Sequence, residues 1–212
     1  MLDAVQIAKR KKRMIIAIIS VLVALILVWL SVLLLENIEK KNSADNNAAI
    51  DYNFYYADFS ENIFEDQEYL TLIEGEGIRY CEGGLTVSID ESTIGNYGKD
   101  IVFFWDFIHN IINGNKDEYN AMFSDQYYKY NAPKQEFTMQ KLYEVQISKY
   151  STEQVETSSG NYTKSVFVVE YRILKNNGTF RNDIGDGIRP QYITVTNKSG
   201  DFLIDSIGYI KY

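Results

Sequence analysis

The sequence predicts an α+β protein: one N-terminal transmembrane helix, then helices packed on a curved antiparallel sheet. Three observations predict it. Met14–Leu35 is an apolar run without charge, Gly or Pro. Lys99–Asn113 reads as one long helix with shorter capped helical segments behind it. From Val145 onward, alternating apolar and polar residues run between Asn- and Gly-rich turns, the period-two signature of strands. Helices followed by a run of strands is the α+β order.

Composition narrows the class further. The chain has 212 residues, 46% hydrophobic and 24% charged, which is too apolar for a disordered chain. Its single Cys excludes an internal disulfide, and with one His it excludes a four-ligand Cys/His zinc site. The net charge of −8 argues against nucleic-acid binding. That figure averages two unlike parts. Lys9, Arg10, Lys11, Lys12 and Arg13 stand against Asp3 alone, so residues 1–13 carry +4 and the remainder carries −12.

Residues 1–13 are a basic cytoplasmic arm, and residues 14–35 the span. Twenty-two helical residues cover about 33 Å, close to the hydrocarbon thickness of a bilayer. The cationic flank stays cytoplasmic and sends the C-terminal bulk outside. A cleaved signal peptide is the competing reading. The run is longer than a signal-peptide core, and no small-x-small site follows, since Asn42 and Asn47 stand where small residues are wanted. Ser20 and Ala24 form a small-xxx-small pair, read as chance in an apolar run.

Residues 36–50 are polar and aperiodic, a short stalk. Residues 51–98 are a β-rich accessory segment. It opens on the aromatic stretch Asp51–Phe59, and Tyr69–Ile73, Ile78–Cys81 and Leu85–Ile89 read as strands between Gly75, Gly77, Gly83 and Gly84. Gly75-x-Gly77 lacks the third glycine and the strand-to-helix setting of a nucleotide fingerprint.

Residues 99–212 are the main extracytoplasmic domain. Lys99–Asn113 has Asp100 in its first turn and Gly114 as its stop. At 100° per residue, Lys99, Asp106, His109, Asn110 and Asn113 share one narrow polar stripe. Asn115 and Glu118 resemble a capping box, and Ser124 suits a second cap. Thr138–Tyr143 reads as a short helix. Strands follow at Val145–Tyr150, Thr163–Leu174, Gln191–Thr196 and Phe202–Tyr212, with Asn176-Asn177-Gly178 as a hairpin turn.

FFWDFIHNIINGN followed by KDEYNAMFSDQYY, with YITVTNKSGDFLIDSIGYI at the end, resembles the nuclear transport factor 2-like superfamily of cone-shaped α+β domains. Phe202 stands where family members often carry Trp. The resemblance covers about half the chain and implies a fold rather than an activity. The layout of arm, span, stalk and cone is similar to inner-membrane scaffold subunits of type IV secretion and conjugation machines. The Asn-, Lys-, Ile- and Tyr-rich composition uses AT-rich codons and points to a low-GC Gram-positive bacterium.

Candidate chemistry is sparse, and no catalytic, cofactor-binding or metal residue is assigned. His109 and Asp106 suggest a carboxylate-oriented imidazole; the simpler reading is a solvent-facing pair on the polar stripe. Asn182, Asp183 and Asp186 with Gly185 and Gly187 form an acidic loop. Its spacing puts Ile184 and Ile193 where an EF-hand needs oxygen ligands, so it reads as a turn. Cys81 has no basic sequence neighbour and reads as a buried structural thiol. Glu170 and Arg172 alternate away from the Phe167–Ile173 row. Asn161, Asn177 and Asn197 match a glycosylation pattern, as expected by chance in an Asn-rich chain. Tyr119, Tyr127, Tyr128 and Tyr130 are possible partner contacts.

The expectation is a non-enzymatic, single-pass membrane protein whose exported domain binds envelope proteins. A homo-oligomer is possible, and nucleic acid and cofactors are not expected. The alternative is a small-ligand-binding or enzymatic cone tethered to the membrane.

Overall fold

The computed structural model describes residues 53–158, 160–182, 187–198 and 200–209. The basic arm, the predicted span Met14–Leu35 and the stalk lie outside the described residues. Among the described residues, no helix is long and apolar enough to cross a membrane.

A 3-10 turn (Ile63–Glu65) leads into helix α1 (Gln67–Ile73) and the hairpin β1 (Ile78–Glu82) and β2 (Leu85–Ile89). A second 3-10 turn (Ile94–Asn96) precedes α2 (Lys99–Asn113), α3 (Lys116–Ala121) and α4 (Asp125–Tyr128). The strands β3 (Lys141–Thr157), β4 (Gly160–Leu174), β5 (Gln191–Thr196) and β6 (Leu203–Tyr209) follow. All six strands form one sheet, in the order β2-β1-β3-β4-β5-β6. The class is therefore α+β.

Four expectations are corrected. The sheet is mixed, because β1 runs parallel to β3, with Tyr80 opposite Ile147. Tyr69–Ile73 belongs to a helix: the Asp66 carboxylate accepts from the Glu68 and Tyr69 amides and caps it. Thr138–Tyr143 is extended, with β3 beginning at Lys141. Asn176-Asn177-Gly178 turns the chain, with Gly178 at φ 78°, but opens a long connection from β4 to β5 rather than a hairpin. Its Asn side chains satisfy local backbone: Asn176 Oδ1 accepts from Gly178 N at 2.9 Å, and Asn176 Nδ2 donates to the Arg181 carbonyl at 2.9 Å.

Helix α2 ends at its glycine as the sequence indicates. Gly114 takes a left-handed φ of 70°, and Asn115 N donates to the Asn110 carbonyl at 2.9 Å, closing a Schellman-type end. The Asn115 capping box does not form. The Asn115 side chain donates to Asn110 Oδ1 instead, at 3.3 Å, and makes no cap bond to α3.

The layer between α2 and the sheet is filled by aromatic rings. Phe104 lies 4.5 Å from Phe167 between centroids, and Phe107 lies 5.5 Å from Tyr119. Phe167, Val169, Tyr171 and Ile173 are all buried, as their alternation on β4 predicts. Each such side chain contributes about 1.5–3 kcal/mol when fully buried.

The segment before β1 is tied to the sheet by polar contacts. Tyr69 Oη donates to the Leu142 carbonyl at 2.9 Å. The buried Lys141 ammonium bonds Asp66 and Glu61, and Lys175 reaches Asp66 at 3.3 Å and Glu68 at 2.9 Å. The Lys141 hydrogen bond holds the Asp66 carboxyl far below its usual range, against an opposing effect of burial. Upstream, the Phe54 ring lies against Gly178, while Tyr55, Tyr56 and Phe59 are exposed.

Candidate functional site

Helix α2 presents two apolar faces. Ile101, Phe104, Ile108 and Ile111 face the sheet and are buried. Trp105, His109 and Ile112, spaced four and three residues apart, share a neighbouring face. There the Trp105 and His109 rings lie against each other at a tilt, with centroids 4.1 Å apart. His109 Nδ1 lies 2.8 Å from the Trp105 carbonyl oxygen. That oxygen only accepts, so Nδ1 carries a proton, and Nε2 is an acceptor whenever the ring is neutral.

This second face lines a cavity of about 280 Å³. Phe64 and α1 residues Tyr69 and Ile73 close one side, and Ile78 and Ile89 of the hairpin another. Leu142, Tyr143, Glu144 and Val145 of β3 complete it. Glu76 and Asp90 stand at exposed positions on the lining. The Asp90 carboxylate accepts from the Ser92 hydroxyl at 2.6 Å and from the Ser92 and Thr93 amides at 2.9 Å. The Ser92 bond is the largest cause holding its carboxyl below the ordinary value.

Glu144 is the strained member. It holds φ at 50°, a left-handed value uncommon for a residue with a side chain. The strain sits at a bulge, where the pairing of β3 with β4 shifts between Tyr143 and Gln146. Arg172 Nε of β4 donates to Glu144 Oε2 at 2.9 Å and ties the acidic side chain to the neighbouring strand.

The sequence candidates distribute as follows. Asp106 and His109 share a helix surface, but the imidazole is oriented by the Trp105 carbonyl rather than by a carboxylate. Asp106 is exposed and His109 half-buried against Trp105. Partial burial raises the Asp106 carboxyl, with His109 acting in the other direction. Glu170 pairs with Gln146 at 3.3 Å, and Arg172 with Glu144, both outside the buried row. Cys81 is half-buried rather than buried, with Sγ 3.0 Å from the Thr86 hydroxyl across the hairpin. Asp183 and Asp186 lie outside the described residues.

Of the four tyrosines, Tyr119 is a core residue packed on Phe107, Phe123 and Phe137. Tyr127 and Tyr128 are half-buried against Phe123. Tyr130 alone among them is exposed, at 82%. Asn177 Nδ2 donates to the Thr138 hydroxyl at 2.9 Å, and Asn197 Oδ1 accepts from Thr163 N at 2.7 Å, so both side chains serve the fold.

The two sheet edges differ. At β6, Ser124 N donates to the Ile204 carbonyl at 3.0 Å and Ile204 N to the Met122 carbonyl at 2.8 Å, so chain covers that edge. At the other end, β2 has no strand partner on its outer side among the described residues. Leu85, Val87 and Ile89 share one face of β2. Ile89 is fully buried, whereas Leu85 is 75% and Val87 41% exposed. The core-facing apolar row therefore runs out past its cover toward the hairpin tip.

No protein family, curated protein or solved structure matches this chain. The class shown is α+β with a six-stranded mixed sheet.

Proposed function

We propose that this protein is a membrane-anchored, non-enzymatic interaction protein whose C-terminal domain acts outside the cytoplasmic membrane as a scaffold. On this reading the domain is a nuclear transport factor 2-like cone, and the protein is an assembly subunit of a conjugation or secretion machine. Its partners are envelope proteins. The basic arm and the uncharged run that follows it support the anchor and its orientation.

The observation that carries the reading is the open β2 edge. A strand with unpaired outer backbone groups accepts another strand, and uncovered apolar side chains beside it supply specificity. Leu85 and Val87 provide such side chains, and β2 carries neither the Lys nor the Pro that usually blunts an edge. The competing ligand-binding or enzymatic cone wants an open interior between helix and sheet. Phe104, Phe107 and Phe167 occupy that space.

The test places a photo-crosslinking residue at position 87 of the full chain in cells. The expected result is a covalent adduct with a defined envelope protein or with a second copy, lost on Leu85→Glu. Leu85→Glu is expected to change stability by no more than about 0.5 kcal/mol, being an exposed position. Recovery of no adduct from position 87 would sink the reading.

A further inference from the structure

We propose that the cavity between α1, the β1–β2 hairpin, α2 and the start of β3 is a binding site for a small organic cation with an aromatic or aliphatic body. It lies on the Trp105 side of α2, apart from the filled layer between α2 and the sheet; Ile89 of β2 lines it, whereas the exposed Leu85 and Val87 do not.

Size sets the first limit. A water takes about 30 Å³ of liquid volume, so a cavity of 280 Å³ takes a ligand of about ten non-hydrogen atoms. The walls set the second. Trp105, Phe64, Tyr143 and Ile112 offer apolar and aromatic surface, which favours an apolar body and the face-on approach of a cation.

Charge sets the sign. Glu76, Asp90 and Glu144 line the cavity, and no Lys or Arg among the described residues does. Arg172 offsets part of the Glu144 charge from outside the lining, leaving the balance acidic. An anionic ligand would meet carboxylates on apolar walls with no cation to pair it. An ammonium has donors only, and the lining carries acceptor groups: the carboxylates of Glu76, Asp90 and Glu144, and His109 Nε2 whenever that ring is neutral.

Glu144 marks the site a second way. A left-handed glutamate at a bulge is strained and persists where surrounding contacts hold it. Here Arg172 and the β3–β4 ladder hold it beside the cavity.

The test uses the full chain in detergent with Trp29→Phe, which leaves Trp105 as the sole tryptophan. Its emission is followed during titration with 2-phenylethylamine, the neutral 2-phenylethanol and the anionic phenylacetate. The expected result is a saturating change with the amine, at an affinity about tenfold above the alcohol, as a charge-assisted hydrogen bond supplies. Phenylacetate is expected not to saturate. Glu144→Gln should bring the amine down to the alcohol, and Ile112→Phe, which fills the cavity, should abolish the change.

Equal affinity for amine and alcohol overturns the proposal, and that comparison needs no variant at position 144. Absence of saturation with the amine overturns it, and so does a change that survives Ile112→Phe. The interaction reading stands apart from these outcomes, since it rests on the β2 edge.

Discussion

Tyr69 Oη donates a buried hydrogen bond to the Leu142 carbonyl oxygen at 2.9 Å, joining residues 73 apart in the chain. The tyrosine sits on α1 and the carbonyl at the start of β3. Burial pushes the Tyr69 hydroxyl up to about 12, so it stays a protonated donor through the neutral range. With the Lys141–Asp66 pair beside it, this bond fastens the segment before β1 onto the sheet and closes one wall of the cavity.

Tyr69→Phe removes the donor and leaves the Leu142 carbonyl without it. A buried acceptor left so costs about 1–3 kcal/mol. Urea denaturation is expected to show that loss, with an unchanged m-value.

Phe104→Ala is expected to cost about 3–5 kcal/mol, because Phe104 is fully buried and packs on the Phe167 ring. Phe104→Leu keeps most of the volume and should cost less than half as much. Chemical denaturation of both variants checks the order. Equal costs would mean that the layer between α2 and the sheet is loosely packed.

Gly114→Ala is expected to destabilise by about 1–2 kcal/mol, since the left-handed φ is strained for alanine. A Cβ there would also lie 3.2 Å from Met139 N and 3.3 Å from the Phe137 carbonyl oxygen, both backbone atoms with little freedom to yield. Thermal unfolding of the variant measures it.

Acid should unfold the domain in part through Asp205. Burial alone raises its carboxyl, but hydrogen bonds from Ser124 at 2.6 Å and Lys198 at 2.9 Å outweigh it and leave the group lowered. A lowered folded value means the stabilisation is present above about pH 4, the unfolded carboxylate value. It is lost as pH falls through the folded value. Asp205→Asn should therefore flatten the stability profile below about pH 4. A profile unchanged there would show that Asp205 does not contribute.

The helix from Lys99 to Asn113, its glycine stop, the buried alternation of β4 and the bounds of β5 were legible because spacing alone encodes them. The apolar residues of Tyr69–Ile73 suit a strand as well as a helix, and the Asp66 cap that decides for helix is stabilised by Lys141 and Lys175, far along the chain. The parallel pairing of β1 with β3 was not legible, because a hairpin and a later strand carry no mark of their mutual direction. His109 stands out in the sequence as its lone histidine. Trp105 and Ile112 carried the helical spacing that places them beside it. Nothing local announced that Glu144 would take φ 50°, since the bulge belongs to the β3–β4 ladder.

By itself the sequence determined the charge division between a +4 arm and a −12 remainder, the uncharged run between them, and the α+β order of elements. These depend on composition and on near-neighbour periodicity, which the chain carries wherever it folds. Tertiary structure decided that Tyr119 is core rather than contact surface, and that β2 ends the sheet with Leu85 uncovered. It also decided that one face of α2 looks onto a cavity bordered by acids. Each depends on which distant segments meet, and long-range pairing and side-chain packing settle that together.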